Sequence, residues 1–259
     1  MIQFSIITIT YNAAHELQRT LDSVAMQQYP IVEHLIIDGK STDDTVRIAN
    51  AYAQVTANQK TRHTVTVLSE PDRGLYDAMN KGIRLATGDY IVFLNAGDTL
   101  PAPDTLCRVA EVAAAKSVMP GVIYGETDIV DDQGRFVRHR RLSPPRRLHW
   151  QSFRQGMVVC HQAFYARIDF AKANLYNLSY RYSADVDWCI RVMRDAERVG
   201  CELAYVPAVV VNYLDGGLSV KNHRKSLRER FQVMRSHYGL VTTLAMHAWF
   251  VIRGIMKLT

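Results

Sequence analysis

The sequence predicts an α/β fold, with a doubly wound, mostly parallel (Rossmann-like) sheet covered by helices on both faces. Three observations lead to this prediction. Strand-like and helix-like patterns alternate over residues 1–125, as in a sheet built by right-handed crossovers. The strand-like run YIVFL is apolar without alternation, as in a strand buried on both faces. Polar residues follow the strand ends, where open α/β sheets have their ligand crevice.

The first half of the chain yields four strands and three helices in order. FSIITIT predicts the first strand, and residues 14–28 follow with apolar side chains at helical spacing. HLIID predicts the second strand, and Ser41 with Asp44 three positions on resembles a capping box for the next helix. TVTVL predicts the third strand, residues 75–87 predict a helix stopped by Gly88, and YIVFL predicts the fourth strand.

The pattern changes after about residue 125. DIVDDQGRFVRHR predicts a hairpin that turns at residues 132–134, and a basic, proline-containing loop follows at 140–149. GMVVCHQAFYAR predicts a buried strand, residues 184–199 predict a helix, and ELAYVPAVVVNYL predicts a long strand or a strand pair. We therefore divide the chain into a domain of residues 1–220, with halves 1–125 and 126–220, and a basic, then apolar, helical segment 221–259.

Composition narrows the class of protein. The 259 residues are 48% hydrophobic and 22% charged, which is typical of a globular protein. The net charge is +6, and much of the positive charge lies in residues 135–147 and 221–235. Such basic clusters bind phosphates, nucleic acid or an anionic membrane, or they form only a solvated basic surface. Four widely spaced cysteines and the lack of a signal peptide predict a cytoplasmic protein with reduced thiols. No apolar stretch is long enough to span a membrane, whereas residues 240–252 suit either a membrane interface or a buried core helix.

Two common nucleotide-binding motifs are missing. No GxGxxG follows the first strand, which disfavours a standard dinucleotide site, and no GxxxxGK[ST] occurs, which argues against a P-loop NTPase. Aspartate is common in polar loops and at helix caps, and this alone can account for Asp43 and Asp44. It accounts poorly for Asp38 and Asp98, because these two lie at strand ends rather than at cap positions.

Five motifs in order resemble a known family. They are SIITITYN, LIIDGKSTDDT, SEPDRGLYDAMNKGIRLATGDYIVFLNAGD, CHQAFYAR and YSADVDWCIR, spread over roughly residues 3–220. In these motifs the sequence resembles the family 2 glycosyltransferases, which are inverting nucleotide-sugar enzymes with the GT-A fold. The resemblance is strongest to the bacterial members that build O-antigen, capsule and colanic acid. It implies a GT-A domain over residues 1–220 with a C-terminal, acceptor-side extension.

On the donor side, the resemblance implies a set of residues around the nucleotide-sugar. Asp38 matches the acid that hydrogen-bonds the base, usually uracil, and a carboxylate accepts strongly from an imide N–H. Lys81 either approaches the donor's sugar or diphosphate or is exposed to solvent. The complete donor set comprises Thr10, Tyr11, Asn12, Asp38, Asp72, Arg73, Gly74, Asn80, Lys81, Asn95, Ala96 and Gly97.

The resemblance also implies a divalent metal, Mg²⁺ or Mn²⁺. Asp98 matches the last acid of the D-x-D-type motif, but Asn95 stands where the family usually has another acid. One carboxylate can suffice for Mg²⁺ when phosphate oxygens and water complete its shell, so we expect metal to bind mainly with the nucleotide. A basic side chain could share the stabilisation of the diphosphate, and the candidates are Arg140, Arg141, Arg146 and Arg147.

On the acceptor side, the resemblance implies that Asp185 is the general base. It matches the second acid of the family's Glu-Asp pair, with Ala184 in place of the first, and a helix N-terminus favours its ionised form. Alternatively, Asp185 only caps the helix and Asp187 is the base. His161 and Gln162 are either acceptor or diphosphate contacts or core residues. Trp188 is either core or a stacking surface for a sugar ring.

The function expected from the resemblance is transfer of a sugar from a nucleotide-sugar, a UDP-hexose or UDP-N-acetylhexosamine, to a saccharide on a polyprenyl diphosphate. This reaction belongs to bacterial surface polysaccharide synthesis at the inner face of the cytoplasmic membrane. A sugar-nucleotidyltransferase is the first alternative, but TYNAAHEL lacks its glycine-rich phosphate loop. A non-catalytic module that binds a nucleotide or nucleic acid is the second. Few aromatics interleave with the basic clusters, so we expect no nucleic acid partner.

Overall fold

A mixed β-sheet runs through the protein. The computed structural model describes residues 1–59, 61–216 and 223–255, and this part of the chain forms one eight-stranded sheet. The strands are β1 (Phe4–Thr10), β2 (Val32–Asp38), β3 (Thr64–Ser69), β4 (Tyr90–Phe93), β5 (Val122–Val130), β6 (Phe136–His139), β7 (Phe164–Arg167) and β8 (Leu203–Leu214). Their order is β3-β2-β1-β4-β7-β5-β6, with β8 beside β5.

Helices connect the strands and extend beyond the last one. Within the described residues they are α1 (Ala14–Ala25), α2 (Thr45–Ala57), α3 (Leu75–Leu85), α4 (Thr105–Ala114), α5 (Ile168–Ala173), α6 (Ala184–Arg198), α7 (His223–Tyr238) and α8 (Leu240–Ile255). Two short 3-10 helices, Trp150–Gln155 and His161–Ala163, lie between β6 and β7. The alternating order of the first half confirms the predicted α/β class.

The first four strands form the parallel, doubly wound part of the sheet. β1 pairs in parallel with β2 and β4, and β2 pairs in parallel with β3. Successive strand residues face opposite sides, so Ile36 packs with Leu17 of α1 while Ile37 packs on the α3 side. Gly82 lets α3 approach closely, because a Cβ there would lie 2.4 Å from Cγ2 of Ile7. Helices therefore cover both faces, as predicted.

The second half adds antiparallel strands. β7 lies antiparallel between β4 and β5, and β5 and β6 form the predicted hairpin, closed by the Gly134 N–H bond to the carbonyl of Asp131. ELAYVPAVVVNYL forms one long strand, β8, parallel to β5. The end of β8 meets the turn after β4, where Thr99 and Asn212 form a bridge. Segments more than 100 residues apart thus meet at one sheet edge.

Two local predictions are wrong. Ser41 and Asp44 form no capping box, because the Ser41 hydroxyl and N–H both bind the carboxylate of Asp38, and α2 begins later, at Thr45. The segment GMVVCHQAFYAR is a strand only over Phe164–Arg167. Residues 161–163 form a 3-10 turn instead, which lets two successive side chains face the same side of the sheet.

The C-terminal helices α7 and α8 lie on the surface. α7 contacts α6 through the side chains of Ser226, Glu229 and His237. On α8, Thr243 is buried whereas Val241 is 82% exposed, so residues 240–252 do not form a buried core helix. A membrane-crossing helix would need more length and apolar character than any helix of the described ranges has. Residues 217–222 and 256–259 lie outside the described residues.

Candidate functional site

A cavity of about 770 Å³ opens at the carboxyl ends of β1, β4 and β8. Loops after these strands, the start of α3, the β5–β6 turn and the loop before α6 supply its walls. Eight predicted site residues line it: Tyr11, Asn12, Asn95, Ala96, Asp98, His161, Gln162 and Asp185. The predicted metal-binding acid and the predicted base therefore share one cavity.

The loop after β1 forms one end of the site. Asn12 adopts a left-handed backbone (φ 48°), and its side-chain oxygen accepts from the N–H of Thr42 at 2.8 Å. Tyr11, 67% exposed, lies beside Gly39, where a Cβ would come within 2.5 Å of Oδ2 of Asp72. The other oxygen of Asp72 accepts from the N–H of Gly74 at 2.7 Å. Tyr11 and Asp72 thus meet across a glycine that leaves space between the loops.

The carboxylate of Asp38, the predicted partner of the base, has hydrogen-bond partners within the fold. Asp38 is 1% exposed, and its carboxylate accepts from the hydroxyl of Thr10 at 3.0 Å and from the hydroxyl of Ser69 at 2.7 Å. The N–H and hydroxyl of Ser41 complete the set at 2.9 and 2.5 Å. Burial raises the pKa of Asp38, but these hydrogen bonds outweigh it and the net pKa is lowered. Thr10 and Asp38 therefore brace the loops beneath Tyr11.

Asn80 and Lys81 are also committed to other partners. The amide of Asn80 donates to the carbonyl of Tyr176 at 3.0 Å and accepts from its N–H at 2.7 Å. The ammonium of Lys81 lies 2.9 Å from Glu70 and donates to the carbonyl of Pro71 at 2.7 Å. Neither side chain lines the cavity in this structure, where both make contacts within the fold.

Helix α1 holds the turn that carries Asp98. The guanidinium of Arg19 donates to the carbonyl of Gly97 at 2.8 Å, and the hydroxyl of Thr20 donates to the carbonyl of Asp98 at 2.8 Å. Gly97 itself has a positive φ of 99°, which glycine adopts without strain. Sequence reasoning missed Arg19 and Thr20, because polar residues on a surface helix carry no sign of a contact 77 or 78 positions away.

Asp98 is 3% exposed, and burial raises its pKa to about 7 despite backbone hydrogen bonds that lower it. Its Oδ1 accepts from the N–H of Leu214 at 2.9 Å. Next to it, Oδ1 of Asn95 is buried and has no hydrogen-bond partner among the described residues. A carboxylate and an unpaired amide oxygen are hard ligands that fit Mg²⁺ or Mn²⁺. No group of three or more acidic, His or Cys ligands occurs in the same ranges, so phosphate and water would have to complete the shell.

The rim of the cavity is acidic. Besides the predicted aspartates, Glu16, Asp131, Asp132 and Asp215 line it, and sequence reasoning did not assign them to the site. A cleft lined by one sign of charge repels a diphosphate of the same sign unless a cation is present. Arg140, one of four candidate cations, donates to the carbonyls of Leu142 and Met157 at 2.7 and 2.6 Å. The guanidinium of Arg140 thus binds backbone carbonyls near its own loop.

Asp185 lies in the first turn of α6 and faces the cavity. Its Oδ1 accepts from the hydroxyl of Tyr76 at 3.2 Å and from the N–H of Val186 at 2.9 Å. Burial, and then the charge of Asp185, raise the pKa of Tyr76 well above its usual value, so Tyr76 remains a donor at neutral pH. Both contacts fall on Oδ1, and no described residue donates a hydrogen bond to the other oxygen of Asp185, which is therefore available to a bound molecule. Tyr76 thus orients this carboxylate.

Asp187 and Trp188 do not belong to the cavity, contrary to their weaker assignments. Asp187 is 5% exposed, and its carboxylate pairs with Arg191 at 2.8 Å and with His237 at 2.7 Å. These partners lower the pKa of Asp187 although burial raises it, which makes this carboxylate a poor base, so the alternative base assignment is not supported. Trp188 is fully buried and stacks on Tyr176 with ring centres 5.0 Å apart, which makes it a core residue.

His161 and Gln162 form the floor of the cavity. His161 stacks on Phe93 at 5.0 Å, and its Nε2 lies 2.5 Å from the hydroxyl of Tyr176. Burial lowers the pKa of His161 to about 4, although the charge of Asp185 acts against this, so the ring is neutral near pH 7. The side chain of Gln162 hydrogen-bonds the carboxylate of Asp98.

Comparison with known proteins identifies the family. The profile described as "Glycosyl transferase family 2" matches residues 5–172. The PGL/p-HBAD biosynthesis glycosyltransferase of Mycobacterium bovis is 38% identical over 218 residues, which cover 83% of this chain and 78% of the relative. The amylovoran biosynthesis glycosyltransferase AmsB of Erwinia amylovora is 27% identical over 221 residues, covering 82% and 69%.

Solved structures show the same fold. S. aureus TarS in complex with UDP-GlcNAc matches with a TM-score of 0.70 at 19% identity, over 90% of this chain and 65% of TarS. Glucosyl-3-phosphoglycerate synthase from Mycobacterium tuberculosis, in complex with Mn²⁺, UDP and glucosyl-3-phosphoglycerate, matches with a TM-score of 0.64 at 16% identity, over 92% and 81%. This chain therefore spans only about two thirds of the TarS chain. The shared architecture is the GT-A fold.

The family match agrees with the five motifs read from the sequence. A nucleotidyltransferase and a non-catalytic binding module, the two alternatives, are excluded by it. The chain belongs to glycosyl transferase family 2 and is a glycosyltransferase.

Proposed function

We propose that the enzyme transfers a sugar, with inversion, from a UDP-hexose or UDP-N-acetylhexosamine to a saccharide carried on a polyprenyl diphosphate. One observation carries the proposal: a single cavity of about 770 Å³ contains both the Asn95–Asp98 turn and Asp185. Residues 1–125 would bind the donor and residues 126–220 the acceptor. The names of AmsB and the PGL/p-HBAD enzyme support a role in building bacterial surface glycans.

The uracil end of the donor would lie at Tyr11 and Asp72. Tyr11 presents an exposed ring on which a base can stack, and Asp72 has one oxygen not used by Gly74. A carboxylate accepts strongly from the imide N–H of uracil. Arg73 is exposed and pairs with Asp77, and Gly74 precedes α3 with a φ of 110°. In this arrangement both residues would lie at the edge of the subsite.

The diphosphate would lie against the turn of residues 95–98. A divalent cation bound by Asp98 and Asn95 would neutralise charge on the departing diphosphate. Mn²⁺ in the glucosyl-3-phosphoglycerate synthase complex supports this use of metal. Because the chain offers one carboxylate and one amide here, the cation should bind together with the nucleotide.

Asp185 would act as the general base. An acceptor hydroxyl attacks the anomeric carbon, its proton passes to the free oxygen of Asp185, and the bond from that carbon to the diphosphate breaks. Tyr76 holds the carboxylate at its other oxygen during this step. General-base assistance of this kind is worth about 10²–10⁴-fold.

The lipid-linked acceptor suggests peripheral binding at the inner face of the cytoplasmic membrane, and α8 supports this. Over residues 240–252, the part of α8 whose side chains are described, the exposed ones are apolar: Leu240, Val241, Leu244, Ala245, Ala248, Trp249, Val251 and Ile252. The preceding helix, α7, exposes Arg224, Lys225, Arg228 and Arg235. An apolar strip beside basic side chains suits the interface of an anionic bilayer.

Vesicle sedimentation tests the membrane contact. Val241→Asp with Val251→Asp should abolish binding to vesicles that contain anionic lipid, whereas Val55→Asp, at a 58% exposed valine of α2, should not. Equal binding of both variants, or no binding of the wild type, would contradict the membrane contact while leaving the transfer reaction intact.

A donor screen tests the function itself. The enzyme would be incubated with UDP-, GDP- and dTDP-sugars and a lipid-linked saccharide, and products would be read by mass spectrometry. We expect sugar transfer from a UDP-sugar only. Titration calorimetry with UDP, with and without Mn²⁺, should show tighter binding with the metal. A lack of UDP binding under both conditions would overturn the donor assignment.

A further inference from the structure

Glu229 of α7 binds three successive backbone N–H groups on a distant loop. Its Oε1 accepts from Arg181 at 2.9 Å, and its Oε2 accepts from Tyr182 at 2.6 Å and from Ser183 at 3.0 Å. The partners lie 46 to 48 positions away in sequence. Consecutive N–H groups that converge on one carboxylate form an anion-binding nest, and the charge strengthens each hydrogen bond.

The loop held by Glu229 leads directly into α6. Tyr182 lines the cavity, Ser183 is the cap residue of α6, and Asp185 follows in the first turn. The Ser183 side chain makes no cap hydrogen bond to α6, because its hydroxyl donates to the carbonyl of Ser226 on α7 at 3.2 Å. Glu229 therefore adds a negative charge at this helix N-terminus, beside those of Asp185 and Asp187 in the first turn.

A second contact between α7 and the first turn of α6 separates the roles of the two aspartates there. His237 of α7 lies 2.7 Å from Asp187, whereas Asp185 receives no hydrogen bond from α7 among the described residues. One acid is thus fixed to the C-terminal helix and the other is left facing the cavity. The family profile ends at residue 172, before all of these residues.

We propose that Glu229 is a positioning residue that sets Asp185 and Tyr182 for the acceptor. The proposal rests on the proposed role of Asp185 as base. It also makes α7 part of the active unit, although α7 lies beyond the boundary at residue 220. A misplacement near 1 Å in a reacting group can cost about 10²-fold in rate, so loss of the nest should lower kcat by roughly 10- to 100-fold.

Glu229→Gln is the test, because it keeps the side-chain volume but replaces one acceptor oxygen with an NH₂ group. We expect kcat to fall roughly 10- to 100-fold while the Kd for UDP with Mn²⁺ stays within about twofold of the wild type. Combined with Asp185→Asn, it should add little further loss, since both act on the same step. Glu229→Asp should recover part of the rate. Glu202→Gln, which breaks a surface ion pair with Lys116, is the matched control and should leave kcat unchanged.

Hydrogen exchange supplies a readout that does not depend on turnover. Amides of residues 181–187 should exchange faster in Glu229→Gln and not in Glu202→Gln. Faster exchange with wild-type kcat would overturn the proposal, and so would equal losses of UDP binding and kcat, which indicate general misfolding. Failure of the proposed function would look different: the wild-type enzyme itself would transfer no sugar from any donor.

Discussion

Asp185→Asn removes a proton acceptor while preserving the shape of the side chain. An amide oxygen can still accept from the hydroxyl of Tyr76 and the N–H of Val186, the two contacts that the carboxylate makes at 3.2 and 2.9 Å. The lost charge at the start of α6 should cost about 0.3–1 kcal/mol of stability. In a chain of this size that lowers Tm by only about 1–4 °C.

The expected effect on catalysis is much larger. Loss of general-base assistance should lower kcat by about 10²–10⁴-fold. This corresponds to roughly 3–5.5 kcal/mol of transition-state stabilisation. UDP binding should be unchanged, because Asp185 lies at the acceptor end of the cavity in the proposed arrangement. The predicted variant is therefore folded, binds donor and turns over poorly.

The assay is mass detection of the glycosylated lipid-linked acceptor, with Tm measured in parallel. Asp187→Asn is the companion variant. It breaks a buried pair with Arg191 and His237 and should cost about 3–5 kcal/mol of stability. The folded fraction of that variant should keep most of its kcat. Wild-type turnover by Asp185→Asn, or a selective loss of kcat in folded Asp187→Asn, would refute the assignment of the base.

Three further predictions concern metal, packing and pH. Asn95→Asp should tighten Mn²⁺ binding to the nucleotide-free enzyme by about tenfold or more, measured by calorimetry. Tight Mn²⁺ binding by the wild-type enzyme without nucleotide would contradict the one-carboxylate site. Gly82→Ala should lower the free energy of unfolding by about 1–3 kcal/mol in thermal melts, because its Cβ would lie 2.4 Å from Ile7; an unchanged Tm would contradict this close packing. Burial lowers the pKa of His34 to about 3 and that of His161 to about 4, so the unfolded chain binds protons first as pH falls below about 6.5. Asp98, whose pKa is raised to about 7, acts in the opposite direction over the same pH range, so the contribution of one histidine is best isolated with a variant. In urea unfolding, the wild type should lose roughly 2 kcal/mol more stability than His34→Gln between pH 7 and pH 5, and equal losses in the two proteins would contradict this.

Much of the fold could be predicted because its signals are local. The apolar run of β4 and the Asp131–Gly134 turn each depend on neighbouring residues, and the structure confirms both. The helix that carries Asp185 was predicted from its apolar spacing. The failures were at chain reversals. Serine is a common helix-capping residue, but Ser41 donates both its N–H and its hydroxyl to the strand-end carboxylate of Asp38, and Asp44 stands at the cap position of α2.

The candidate site, like the fold, could be predicted only in part from the sequence. Asp98, Asn95 and Asp185 were predicted from motifs, and the structure places all three around one cavity. Asp38 and Asn80 match motifs too, but their hydrogen-bonding groups are used within the fold. A motif specifies which residue occupies a position, whereas its availability depends on which donors the folded chain brings to it.

By itself, the sequence determined the α/β class, the family and the strand ends at which the polar groups collect. Only the tertiary structure decided which of those groups are free. Leu214 reaches Asp98 from 116 positions away, and Glu229 reaches Ser183 from 46. Hydrogen bonds between such distant segments leave no periodic or local trace in a sequence. They form only when the sheet order brings β8 beside the turn after β4, and when α7 packs against the start of α6.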